Sequence, residues 1–382
     1  FMRAPFESPA MFAFESAIDE LAYATGQDPV ALRLANDTAV DPVTGLPFST
    51  RYVAECLRRG AERFGWAARN PEPGSMLAAD GSQIGWGVAI GCYPGSVAPA
   101  VAHLLATADG HVRVSVDGHE MGQGIRSAVA LLVAQDLGIP VRDIEVSVGD
   151  TREAPQHLTA GSWGTATALP AVHSALRELR KLLDAAAVGD VDVAAAVAAA
   201  GHPIEVAVDS LGFGQQPEML DRSKAGHLAI SGPIFPEFAT FSWIAHFVEV
   251  RVEPTTRRIR VPRVVSVADC GRVASPVTAA SQVRGGVVWG IGAALREASL
   301  VDDRFGGFLN ATLEEYPVMV NADVHSIDVD FIDEPDLLFN PVGVKGLGEV
   351  SMVGVAAAVA NAVHHATGRR HRRLPIRLDD VL

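Results

Sequence analysis

Apolar residues recur at helical spacing through Phe12–Asn36, where Phe14, Ala17, Ile18, Leu21 and Ala22 lie beside the acids Glu15, Asp19 and Glu20. Asp28-Pro29 is a helix-start signal and predicts a second short helix through Leu34. A third covers Arg51–Phe64 and stops before the breaker-rich Asn70-Pro71-Glu72-Pro73-Gly74. Strand patterns follow at Ile84–Tyr93 and Val101–Ala108, and Asp109-Gly110 turns the chain into the alternating Val112–Val116. Gly122–Gly124 opens a helix over Ile125–Leu137, Ile144–Val148 is a short strand, and Thr165–Val188 predicts a long Ala/Leu helix. Asp190–Asp221 is rich in Ala, Gly and Pro with little pattern and reads as a peripheral excursion. From Phe238 the chain turns β-rich, with Trp243–Val252 and Ile259–Ala268 joined by Pro254-Thr255-Thr256. A helix over Ser275–Leu295 carries Gly285, Gly286, Gly290 and Gly292; strand-like Ser326–Ile332 then leads through the loop Asn340–Gly348 to an Ala-rich helix, Val353–Thr367. Mixed elements without regular βαβ alternation predict an α+β protein. The expected divisions are a helical segment over 1–74 and two α+β subdomains over 75–237 and 238–382.

Composition narrows the function. The 382 residues are 48% hydrophobic and 20% charged, which excludes wholesale disorder. No run of about 18 uncharged apolar residues occurs, so no membrane span is expected. A formal net charge of −14 argues against a nucleic-acid partner, because phosphate binding needs a basic face. Cys56, Cys92 and Cys270 are widely spaced without a C-x-x-C pair, which excludes an iron–sulfur cluster or structural zinc held by this chain alone. His364, His365 and His371 stand among Arg369, Arg370, Arg372 and Arg373, and read as a basic helix end rather than a metal site. Neither H-E-x-x-H nor G-x-S-x-G is present, so a hydrolase loses its best signatures. Phe1-Met2-Arg3 is not a translation start and has no signal-peptide shape, so the chain reads as one part of a larger functional unit. It is expected to be soluble, with cytoplasm and periplasm both open.

Three glycine-rich segments follow one expected plan, a strand, a tight turn and a helix: Glu120-Met121-Gly122-Gln123-Gly124, Thr159-Ala160-Gly161-Ser162-Trp163-Gly164 and Lys345-Gly346-Leu347-Gly348-Glu349. Each is either a plain turn or a cradle in which free N–H groups at a helix start meet a phosphate. Gly122-Gln123-Gly124 is not G-x-G-x-x-G, so a nicotinamide-binding domain is not expected. Glu349, among Val344, Leu347, Val350, Met352 and Val353, is either a helix-start carboxylate or a buried general base. Arg3, in apolar company, suits a buried anion or a developing oxyanion, and Gln282 offers an amide at the start of a glycine-rich helix stretch.

Together these segments resemble the C-terminal half of the molybdenum-binding large subunit of the xanthine dehydrogenase/aldehyde oxidase family. Phe1-Met2-Arg3-Ala4-Pro5 with the helix from Phe12, Glu120–Gly124, Gly149-Asp150-Thr151 with Ala160-Gly161-Ser162, Gln282–Gly292, and Lys345–Glu349 match its motifs in order. The resemblance implies an elongated multi-subdomain α+β fold and a molybdopterin cofactor, in bacterial members often the cytosine dinucleotide. It implies cofactor contacts from Met121, Gly122, Gln123, Gly124, Ala160, Gly161, Ser162, Gln282, Lys345, Gly346, Leu347 and Gly348. It further implies hydroxylation with water as the oxygen donor and hydride transfer to Mo=S, Glu349 being the base and Arg3 the cation beside the metal. Ala4-Pro5 in place of aromatic residues is closer to members acting on aldehydes or other small aromatic compounds than to purine oxidisers, with Pro5, Phe6, Cys92 and Tyr93 as expected substrate-pocket residues. An N-terminal half of the molybdenum subunit and partner chains carrying [2Fe–2S] centres and FAD are implied as well. Rival readings are hydroxylation of an N-heteroaromatic ring and a metal-free docking subunit; retention of Glu349, Arg3 and Gln282 together counts against the second.

Overall fold

Two four-stranded sheets organise the chain in the computed structural model, which describes residues 2–155, 158–186 and 192–382. Phe1 of the expected N-terminal motif, residues 187–188 of the expected long helix and residues 190–191 of the expected excursion lie outside the described residues. In chain order the elements are α1 (Glu7–Thr25), α2 (Pro29–Ala35), α3 (Val53–Phe64), β1 (Gln83–Pro94), β2 (Ala100–Ala106), β3 (Val112–Val116), α4 (Ile125–Leu137), β4 (Ile144–Ser147), α5 (Gly164–Ala186), α6 (Val193–Ala200), β5 (Ile204–Ser210), α7 (Pro217–Lys224), β6 (Phe241–Val252), β7 (Ile259–Asp269), α8 (Pro276–Leu295), β8 (Val324–Phe331) and α9 (Val355–Thr367). The result is the α+β class that the pattern predicts.

The spatial grouping differs from the linear one. The first sheet runs β1-β6-β7-β8, so β1, expected within 75–237, is the edge strand of the sheet that 238–382 builds. The helices of 1–74 also pack on that sheet, with Cys56, Leu57 and Phe64 of α3 joining Phe247 and Val267 in one apolar cluster. The second sheet runs β4-β3-β2-β5 and buries Leu104, Val114 and Val116 against α4 and α5. Asp190–Asp221 is therefore not a peripheral excursion. β5 pairs antiparallel with β2, and Ile204 and Val206 are buried in the core of that sheet.

Glycine decides how the first sheet is covered. Successive strand residues face opposite sides; Gly85 and Gly87 face α9, and Gly91 on the same side faces Val353, just before that helix. A Cβ on Gly85 would stand 1.8 Å from Ala362 O, on Gly87 2.2 Å from Ala358 O, and on Gly91 2.2 Å from Val353 O. The helix backbone thus lies directly on the strand. The stretch Val350–Thr367 is long and apolar enough to cross a membrane by composition alone, but 78% of it is buried inside the protein by this packing. On the open edge of β1, the Ile90 N–H donates to Glu15 Oε2 at 2.9 Å, and Glu15 pairs with Arg33 at 2.7 Å, both side chains buried. Asp28 caps α2 by accepting from the Val30 N–H at 2.8 Å.

Two core histidines are held neutral. Burial lowers His246 to about 3. Burial, then the nearby Arg69 charge, lowers His365 to about 4, and its Nδ1 accepts the Trp86 N–H at 2.9 Å, which a protonated ring cannot do. An unfolded chain takes up these protons below the ordinary value of 6.5, whereas the folded one does not. Stability conferred by the neutral rings is full above pH 6.5 and falls on acidification, by about 1.4 kcal/mol per pH unit per histidine. His364, lowered to about 3 by burial and then by Arg370, adds to the fall, while Asp117, raised to about 7 by burial, opposes it. The melting temperature is expected to drop on balance from pH 6.5 to 4.5, and a rise would refute this account.

Candidate catalytic and cofactor site

Arg3 and Ala4 meet the Gly348–Ser351 loop beside α8. Arg3 donates through Nε to Gly348 O at 2.5 Å, and through Nη2 to Gln282 O at 2.8 Å and Ser351 Oγ at 2.6 Å. The Ala4 N–H donates to Glu349 Oε2 at 2.8 Å, and the Glu349 N–H donates to Ser162 Oγ at 2.9 Å. Gln282 Nε2 donates to Gly122 O at 3.3 Å. Arg3, Gln282 and the three glycine-rich segments, far apart in sequence, therefore converge on one place. Burial lowers Arg3 to about 10, with the Glu349 charge opposing the shift, so the guanidinium is cationic at neutral pH.

The backbone here is unusual. Ala4 (φ 52°) and Ser162 (φ 57°) are two of four non-glycine residues in the left-handed region among the described residues, and both bond Glu349. Such conformations cost about 1–3 kcal/mol each and gather at functional sites. Gly346 is required sterically, since a Cβ there would stand 2.2 Å from Ser162 O. Leu347 packs against the core of the first sheet. Gly161 also has φ 54°, and Ala160 O accepts the Trp163 N–H at 3.3 Å, closing that turn.

Other expectations change. The loop before α4 does not offer free amides: Glu120 accepts from the N–H groups of Gly122 at 2.9 Å, Gly124 at 3.0 Å and Arg126 at 3.2 Å. Burial raises the Glu120 carboxyl, but these N–H groups outweigh it and hold it below the usual range. Gln123 is folded into the same loop, its Oε1 accepting the Met121 N–H at 2.7 Å, while the Met121 side chain is 63% exposed. What the loop presents is its outer surface, with open space around Gly122.

Nor does the strand–turn–helix plan hold for all three segments. Gly122–Gly124 leads into α4 after β3 has ended at Val116, and the Thr159–Gly164 segment runs into α5, which begins at Gly164, but Glu349 leads into a 3₁₀ turn over Val350–Met352. Lys345 does not reach the site, its ammonium being fully buried against Asp269 at 3.1 Å. Cys92 and Tyr93 separate by strand alternation. Tyr93 joins the face of β1 that carries Ala89 and α9. Burial, then its contact with Glu349, pushes the Tyr93 hydroxyl up, so it stays protonated beside the carboxylate. Cys92 faces the other side, where burial first and Glu15 second push the thiol up to about 11. Pro5 lines a groove of about 430 Å³ together with Arg3, Ser8, Phe12, Met352 and Gly354, whereas Phe6 stands 70% exposed. Ser351 and the Ala4 backbone, both central here, carry no sequence signal; Glu120 is legible only as an acid two residues before a glycine.

The donor set is amide, hydroxyl, backbone and one guanidinium, and no group of three His, Cys, Asp or Glu side chains is placed to hold a metal ion among the described residues. That chemistry suits an anionic organic cofactor bringing its own metal ligands, and beside Gln282 a Cβ on Gly122 would meet nothing within 4 Å.

A family model described as a molybdopterin cofactor-binding domain matches residues 59–325. The chain is 38% identical to the aldehyde oxidoreductase molybdenum-binding subunit PaoC of Escherichia coli, over all of this chain and 52% of that protein. It is 30% identical to the putative xanthine dehydrogenase molybdenum-binding subunit XdhA of the same organism, over 96% of this chain and 50% of that one. The chain thus spans about half the length of the curated relatives it matches. Among solved structures it is similar in fold to the CO dehydrogenase from Oligotropha carboxidovorans (TM-score 0.77, 20% identity, 97% of this chain and 50% of that chain). A similar match is the aldehyde oxidoreductase from Desulfovibrio desulfuricans (TM-score 0.74, 22% identity, 98% and 40%).

Proposed function

The chain belongs to the molybdenum-binding subunits of the xanthine dehydrogenase/aldehyde oxidase family, and from that premise we propose that it is the catalytic part of a molybdenum hydroxylase that oxidises an aldehyde to a carboxylic acid with water as oxygen donor. The observation carrying this reading is Glu349, held from one side by the Ala4 N–H and from the other by Ser162, with Arg3 bridging Gly348 and Gln282. The aldehyde preference is supported by the 38% identity to an aldehyde oxidoreductase subunit.

The bound cofactor, in our reading molybdopterin cytosine dinucleotide, supplies the two-electron sink and activates water. This chain's residues do the rest. Gln282, the outer surface of Gly122–Gly124, and the Ala160-Gly161-Ser162 and Gly346–Gly348 turns hold the cofactor. Glu349 takes the proton from the activated water, its carboxylate aimed by the Ala4 N–H. Arg3, cationic and partly buried, stabilises negative charge developing on the substrate oxygen. Tyr93 and Pro5 border the substrate. With Cys56 and Cys270 buried and Cys92 on the far face of β1, the electrons leave through partner chains bearing [2Fe–2S] and FAD.

Molybdenum content by elemental mass spectrometry on the native complex, followed by a screen of aldehydes against N-heteroaromatic compounds, tests the reading. About one molybdenum per chain with aldehyde turnover supports it. Turnover of heteroaromatic rings alone overturns the substrate class, and a metal-free complex leaves a docking subunit. Gln282→Ala is expected to lower molybdenum content several-fold while the melting temperature of the metal-free protein stays put; full occupancy would remove Gln282 from the cofactor's contacts.

A further inference from the structure

Lys345 lies four residues before Glu349, and its ammonium is 0% exposed. All three of its protons are placed: on Asp269 Oδ1 at 3.1 Å, on Thr50 Oγ1 at 2.8 Å and on Phe241 O at 3.0 Å, with Asp336 Oδ2 at 3.9 Å. The two carboxylates are satisfied in turn. Asp336 accepts from Ser49 at 2.6 Å and Thr50 at 3.0 Å, and Asp269 accepts the Tyr52 N–H at 3.1 Å. This cage joins the segment before α3, the start of β6 and the end of β7.

From the cage to Glu349 the chain has little freedom. The Lys345 N–H donates to Cys270 O at 2.8 Å, Gly346 O accepts from Ser242 Oγ at 2.5 Å, and Gly346 sits against Ser162. Replacing a buried ion cluster by apolar groups is often neutral for stability, so stability alone is a weak reason for one here. We propose that Lys345, with Asp269 and Asp336, is a positioning group for Glu349: the caged ammonium anchors the loop and fixes where the carboxylate stands. The proposal rests on the reading of Glu349 as the base. Misplacing a reacting group by about 1 Å can cost around 100-fold in rate.

The test uses Lys345→Met combined with Asp269→Asn in the complete complex, a pair that leaves the net charge of the cluster unchanged. Expected are normal molybdenum content, KM within about twofold, and kcat lowered about 10- to 100-fold. Thr50→Val, which removes one ammonium partner, is the milder companion and is expected to lower kcat several-fold; it decides the matter should the double variant fail to fold. In a Glu349→Gln background, neither change should lower the residual turnover further, because a group acting through Glu349 has nothing left to position. Wild-type kcat in a fully loaded variant, or a further loss in the Glu349→Gln background, overturns the proposal. Loss of molybdenum in step with kcat would make Lys345 a cofactor support instead. If Glu349→Gln is itself silent, the reading of Glu349 fails, and that is seen independently of Lys345.

Discussion

Glu349→Gln is expected to lower turnover by about 10²- to 10⁴-fold, the range that general-base groups contribute, while molybdenum content stays at the wild-type level. Glutamine keeps the shape and a carbonyl oxygen able to accept the Ala4 N–H at the position now occupied by Oε2. The backbone bond from Glu349 to Ser162 does not involve the side chain and survives. What is lost is the capacity to take a proton. The measurement is kcat on the purified complex with metal content determined in the same sample. Unchanged turnover would remove Glu349 from the mechanism, and parallel loss of metal would show that the carboxylate supports the cofactor instead.

Gly87→Val is expected to abolish stable folding. Its Cβ would stand 2.2 Å from Ala358 O and 2.4 Å from Ala362 N, and both are backbone atoms of α9. No rotamer change relieves contacts with a helix backbone, so α9 must lift from β1. Overpacking costs about 1–3 kcal/mol when side chains can yield, and more is expected where they cannot. Set against a total of about 5–15 kcal/mol for a typical domain, one such change removes much of the margin. Soluble yield and melting temperature of the complex check this; a melting temperature within a few degrees of wild type would show that helix and strand are not in contact as described.

The sequence exposes elements better than their partners. Val112–Val116 and Ile125–Leu137 stand where the pattern places them, because periodicity and flanking glycines are local signals. β1 joining β6 is not local, since each strand is apolar on both faces and nothing in either names the other. β5 was legible in principle: Ile204, Val206 and Val208 alternate with Glu205 and Asp209, but the surrounding Ala, Gly and Pro mask the alternation. At the site, glycines mark the turns because each must tolerate a close approach or a positive φ. The occupation of the loop amides by Glu120 and the caging of Lys345 escape the sequence, because both depend on where side chains fold back. Strand parity alone would have separated Cys92 from Tyr93.

The hydrogen bonds that tie Arg3 to Gly348 and Ala4 to Glu349 each close a loop of 345 residues. At about 5–20 residues per second of synthesis, the first partner waits roughly 20–70 s for the second. Contacts of such sequence separation also form late in folding, after the local ones. The Glu349 carboxylate therefore reaches the Ala4 N–H, and its own N–H reaches Ser162, only once the chain has been made through residue 349, long after the first two glycine loops. The placement of this carboxylate is therefore a readout of completed folding of the whole stretch between the two partners.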